Sequence, residues 1–236
     1  MKVLLLGASD TLGTYLPDPS QGTLSILARE LPGVLHSPVE VTHHRFYSHA
    51  KDAPEHALAN VRHYSPDITV IAAHSMAFNR RSVGARLIDV FGWRVGRWLE
   101  LRIWAADRRA RKSALFARFH RRARRLAHRT VGTATYSSVA ETIACYAETI
   151  ALLAPIEDME LVILGTFQHV RDGELGPHVQ LNEGLAAVAA ARRLPWIDRQ
   201  AIVTGLGSEA FQSNGLFSSP LLHRKVAEAV LAAVAR

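Results

Sequence analysis

Cysteine is nearly absent from this chain. Cys145 is the only one among 236 residues, so an intramolecular disulfide is excluded and a reducing, cytoplasmic setting is expected. Long apolar runs are missing too. The opening Met-Lys-Val-Leu-Leu-Leu-Gly has only about four strongly apolar residues in succession, too few for a signal-peptide core or a membrane span. Acidic residues are scarce in one place. Residues 80–129 hold 3 Asp/Glu against 16 Lys/Arg, whereas the remainder holds 18 against 12. The net charge of +7 therefore belongs to one cationic segment, not to the chain as a whole. What is present suits one α/β domain with a real core: 48% of residues are hydrophobic and 21% charged.

Short apolar runs bounded by turn residues recur at Val3–Leu6, more weakly at Val39–Val41, then at Ile68–Ala73, Leu161–Gly165 and Trp196–Ile197. Helical patterns lie between them, at Leu24–Leu31, Glu55–Tyr64, Val139–Ala154, Gln180–Ala191 and Pro220–Ala235. Continuous apolar strands alternating with amphipathic helices predict a parallel sheet covered on both faces. Ser219 and Pro220 form an N-cap with proline at the first helical position. Leu222, Val226, Val230 and Val234 then repeat every fourth residue, so the last helix is expected to pack along the core. Cys145 falls within a helical pattern and reads as a structural thiol. In sheets of this kind ligands bind beyond the carboxyl ends of the strands, which directs attention to the residues just after each strand.

Four blocks resemble the SGNH (GDSL-type) hydrolase family, a three-layer α/β/α fold, over the whole chain except roughly residues 80–130. Val3 to Gly13 is similar to the family's opening block, in which Gly-Asp-Ser sets the nucleophile, and this makes Ser9 the candidate nucleophile. Pro66 to Asn79 stands where the family carries a strand followed by Gly-x-Asn-Asp. Val162 to Val170 and Leu194 to Asp198 resemble later strands. Ser213 to Val230 aligns with the closing block, usually Asp-Gly-x-His, then Pro and Gly-His, before the last helix. The departures are large. Ala8 stands where the family has aspartate, Asn214 replaces the triad aspartate and Phe217 replaces the triad histidine. His223 matches only the second, usually non-catalytic, histidine. The oxyanion asparagine is absent or displaced to Asn79, and the second block reads Val-Thr-His-His-Arg without the usual glycine.

A serine hydroxyl needs a base to take its proton, normally an imidazole within hydrogen-bond reach. Phe217 cannot serve, so the imidazole must come from elsewhere on the rim: His43 or His44, His74, or His169. His74 is the best placed, because its strand should neighbour the first. A Ser9–His74 dyad steadied by Asp10 or Asp198 is the leading reading, acting as a serine hydrolase or acyl transferase on a small ester or acyl substrate without a cofactor. A second reading is a metal site drawn from His43, His44, His74 and His169 with Asp10, although no His-x-x-x-His or His-x-His spacing fixes two ligands on one element. A third is a non-hydrolytic pocket that binds a ligand or partner. His44, Gly165, Thr166, Gln168, His169, Asn214 and Phe217 are the candidate binding residues.

The cationic segment reads as a helical pair. Leu87, Phe91, Trp98, Leu101 and Ala105 fall near helical spacing with arginines between them, and Leu115, Phe119, Ala123 and Leu126 form a second pattern. Following the third strand, it is placed to act as a lid. Trp93, Trp98 and Trp104 beside arginines also suit an interfacial helix on anionic lipid, and the charge would steer an acidic carrier protein or phosphate-bearing substrate. Nucleic acid fits least, for want of a binding motif. The alternative is an apolar stripe packed on the domain or a twin subunit, with solvated arginines.

Overall fold

The computed structural model describes residues 1–8, 12–13, 16–50, 52–74, 83–110, 135–168, 176–212 and 218–235. They form two compact units, one from residues 1–78 and 137–236 and the other from residues 79–136.

The larger unit is a five-stranded parallel sheet. Its strands are β1 (Lys2–Gly7), β2 (Glu40–Arg45), β3 (Ile68–Ala72), β4 (Glu160–Leu164) and β5 (Trp196–Ile197), in the spatial order β2-β1-β3-β4-β5. The helices are α1 (Thr23–Val34), α2 (Ala53–Tyr64), α4 (Val139–Leu153), α5 (Gly176–Ala191), α6 (Arg199–Leu206) and α7 (Pro220–Val234). Among the described residues of the smaller unit, helix α3 spans Val83–Ala110.

Alternation along the strands builds two cores. On one face Val3, Leu5, Val70 and Leu164 pack with Leu27 and Leu31 of α1 and the α7 stripe. On the other, Leu4, Leu6, Ile71 and Ile163 meet Val61 of α2, Tyr146 and Ile150 of α4, and Leu181 and Leu185 of α5. The expected α7 stripe is buried throughout, at Leu222, Val226, Val230 and Val234. Helix starts follow their capping chemistry. Ser138 Oγ accepts the Glu141 N–H at 3.1 Å while the Glu141 carboxylate accepts the Ser138 N–H at 2.7 Å. Ser219 Oγ accepts the Leu222 N–H at 3.2 Å, with Pro220 following. This is the α/β sandwich with a parallel sheet that the sequence predicts.

Two elements depart from expectation. The edge strand β2 runs to Arg45, well past the predicted Val39–Val41; Val41 to His44 are only half-buried, so no apolar run marks its second half in the sequence. And α6, not predicted, begins at Asp198, whose carboxylate accepts the N–H groups of Gln200 at 2.8 Å and Ala201 at 3.1 Å.

In the smaller unit the expected continuous helix is broken. Gly92 sits at φ 76°, ψ 167°, a backbone region that only glycine visits comfortably. The chain turns there, and Gly96 comes so close to the Ile88 backbone that a Cβ would stand 2.3 Å from Ile88 Cα. The second predicted pattern, Leu115 to Leu126, lies outside the described residues.

Candidate active site

The strand order reverses direction between β1 and β3, and the crevice beyond their carboxyl ends is where a parallel sheet of this topology offers a ligand site. Leu6 pairs with Ile71, so two residues further on Ala8 is level with Ala73. In the sequence Ser9 follows Ala8 as His74 follows Ala73. Ser9 and Asp10 themselves lie outside the described residues, as do His169, Asn214 and Phe217.

His74 is held in place by several contacts. It is buried, and its Nε2 lies 2.8 Å from the carbonyl oxygen of Phe46 in the loop after β2. A carbonyl can only accept, so Nε2 is the donor in this contact. The His74 main-chain N–H donates to the Tyr146 hydroxyl at 3.2 Å. Tyr47 stands edge-on to the imidazole, with ring centroids 5.6 Å apart. Tyr146 is fully buried, and this burial pushes its phenol well above the ordinary range, so it remains a neutral hydroxyl.

His43 and His44 are placed otherwise than predicted. His43 and His44 lie inside β2, paired with Leu5 and Leu6, and not beyond its end. Consecutive strand residues point to opposite faces. His44 accordingly packs on Tyr64 of α2, with centroids 5.8 Å apart, and the two imidazoles cannot converge on one ligand. Among the described residues no group of three or more His, Cys, Asp or Glu is arranged to hold a metal ion. Asp198 caps α6 through Oδ1, which accepts both N–H groups. His223 is structural: its Nδ1 accepts the Thr23 N–H at 3.3 Å and lies 2.9 Å from the Thr23 hydroxyl, joining α7 to the start of α1.

At the end of β4 the predicted Gly165, Thr166 and Gln168 form the floor of the rim. Gly165 and Thr166 are buried, and Gln168 is half-buried. Asn182 of α5 reads the Thr166 backbone like a neighbouring strand, accepting its N–H at 2.8 Å and donating to its carbonyl at 2.9 Å. The Gln168 N–H donates to the side-chain oxygen of Gln200 at 2.8 Å. Gly165 leaves room for its neighbours, since a Cβ would stand 2.8 Å from the Trp196 ring.

One residue escaped the sequence reading. Arg199, the first residue of α6, is 3% exposed, and its guanidinium donates to the carbonyls of both Ala73 and Gly165. It also stands over the Phe167 ring, 5.0 Å from the centroid. A buried cation thus ties the ends of β3 and β4 together. Its only advance signal was an arginine directly after a helix N-cap at a strand end.

No family model matches the chain, and no curated protein matches it by sequence. Solved structures match over nearly the full length. TesA aligns at TM-score 0.58 and 13% identity, covering 99% of this chain and 98% of that one. A lipase/acylhydrolase from Enterococcus faecalis aligns at 0.57 and 15%, covering 99% and 95%. A member of the lipolytic G-D-S-L family from Veillonella parvula aligns at 0.58 and 13%, covering 100% and 99%. By strand order, layering and these full-length alignments, the chain has the fold of the SGNH (GDSL-type) lipolytic hydrolases.

Proposed function

We propose that this protein is a serine-dependent hydrolase or acyl transferase acting on a small ester or acyl substrate, with Ser9 as nucleophile and His74 as its base. The observation that carries the reading is the anchoring of His74 Nε2 on the Phe46 carbonyl at 2.8 Å. With the Nε2 proton committed to the Phe46 carbonyl, the basic nitrogen is Nδ1, on a residue that follows β3 as Ser9 follows β1. Ser9 Oγ attacks the substrate carbonyl carbon while its proton passes to Nδ1. The tetrahedral adduct collapses as the ester C–O bond breaks, and the leaving alkoxide takes the proton from Nδ1. Water, or an acceptor alcohol in the transferase variant, then attacks the acyl-serine by the same route, which regenerates Ser9. The Phe46 carbonyl orients the imidazole in the place of a triad carboxylate. A neutral dipole stabilises imidazolium less than a carboxylate does, so turnover is expected to be slow, by as much as about 10⁴-fold against a full triad.

The likeness in fold to a lipase/acylhydrolase and to esterases supports the reaction class. The test is labelling by a fluorophosphonate probe. Wild type should be labelled at Ser9, Ser9→Ala should lose labelling and ester turnover, and His74→Gln should be labelled far more slowly. Absence of labelling, with ester turnover intact in Ser9→Ala, overturns the assignment.

One observation favours a second reading, a ligand-binding protein that has lost the reaction: Asn214 and Phe217 stand at the positions of both triad partners. Under that reading no probe labels Ser9, and the Asn214→Asp/Phe217→His double variant gains esterase activity over an inactive parent.

A further inference from the structure

The smaller unit presents an unusual surface. After the turn at Gly92, Trp93 is 68% exposed, Trp98 55% and Leu101 54%, and Val95 is exposed beside them. Arg94, Arg97 and Arg102 are exposed on the same stretch. At about 100° per residue, these side chains cover some 200° of the helix surface, while Gly96 is buried and Leu99 half-buried on the other side. Apolar groups and arginines interleave along this arc instead of separating into two faces. Arg97 stands over the Trp93 ring at 5.9 Å from the centroid and Arg102 over Trp98 at 5.1 Å, each one helical turn on.

We propose that residues 93–102 are a membrane-surface element that lies in the headgroup layer of an anionic bilayer. Two observations select this partner. The charge is complementary, since residues 80–129 hold 16 basic against 3 acidic side chains. The large apolar side chains are exposed among those charges, and phosphates of a nucleic acid or carboxylates of an acidic protein would engage the arginines but leave Val95, Leu101 and both indoles in water. A bilayer interface takes both: indoles settle at headgroup depth, and guanidinium groups reach the phosphates on their extended stems. The interleaving itself indicates shallow residence, because deep insertion requires an unbroken apolar face. Among the described residues no helix is long and apolar enough to cross a membrane. The inference stands apart from the chemistry at Ser9 and His74.

The experiment is sedimentation of the full chain with phosphatidylcholine vesicles, with and without about one-third phosphatidylglycerol, while indole emission is followed. Binding should be at least about tenfold tighter to the anionic vesicles, should weaken as salt is raised, and should shift the emission to the blue. Arg94→Gln/Arg97→Gln/Arg102→Gln should remove the preference for anionic lipid. Trp93→Ser/Trp98→Ser should remove the blue shift and weaken binding several-fold. The triple arginine-to-lysine variant, which keeps the charge, should bind within about threefold of wild type. No binding of wild type to anionic vesicles, equal binding to both vesicle types, or binding only to duplex DNA or polyglutamate overturns the proposal.

Discussion

Arg199→Met is the most demanding test of how the rim is held. The substitution keeps an unbranched apolar stem of similar length but removes both donors. It leaves the carbonyls of Ala73 and Gly165 without the guanidinium that joins them, at the buried ends of β3 and β4. A buried carbonyl deprived of its partner costs about 1–3 kcal/mol, and loss of the contact with Phe167 adds about 0.5–1 kcal/mol. Against this, a buried charge carries a desolvation penalty of several kcal/mol, part of which the variant recovers. The balance is a loss of about 3 kcal/mol. At a typical slope of about 2 kcal/mol per M, the urea midpoint should fall by roughly 1.5 M with the slope unchanged. Arg199→Lys should fall between, because an ammonium keeps the charge but cannot fork across two strand ends. A methionine variant as stable as wild type, or more stable, would refute the argument. It would mean that the cation is kept for what it does to a ligand and not for the sheet.

Two further outcomes follow from packing. Gly165→Ala should destabilise by about 1–3 kcal/mol in the same urea titration, since its Cβ would press on the Trp196 ring and stand 2.9 Å from Asn182 Oδ1. Gly33→Ala, where a Cβ meets nothing within 4 Å, serves as the neutral or mildly stabilising control. Burial pushes the Cys145 thiol up to about 11 from 9.0, so a thiol reagent should react far more slowly with the native chain than with the unfolded one near pH 8. As pH rises from about 9 to about 11 the unfolded thiol ionises while the folded one stays protonated, so native stability should decline across that window. Cys145→Ala should flatten the decline.

The buried parts of the fold were legible because burial leaves a periodic trace. Val3–Leu6 and Ile68–Ala72 are covered on both faces and read as unbroken apolar runs, and the four-residue step of α7 survives intact in the structure. Edges and turns leave weaker traces. In β2 Val41 to His44 are all only half-buried, so Thr42, His43 and His44 look like loop residues although they continue the strand opposite Leu4 to Leu6. Helix α6 is eight residues long, too short for a period, and its one signal was the capping Asp198, a residue type that also suits catalysis. The break at Gly92 could not be read from spacing, since the apolar residues on either side keep helical intervals across it. That His74 follows the end of β3 was legible in the sequence. The Phe46 carbonyl that meets its Nε2 was not, because a backbone group has no signature in sequence.

Strand β5 is only two residues long, and beyond it the sheet is completed by Asn182, Arg199 and Gln200, each binding a main-chain group of the β3 or β4 exit. A border finished in side chains can be rewritten one codon at a time, whereas a border made of backbone hydrogen bonds changes only when a whole strand shifts. The rim of this domain is therefore its most adjustable part. Single substitutions at these three positions would let the end of β4 tilt or loosen while both cores stay as they are.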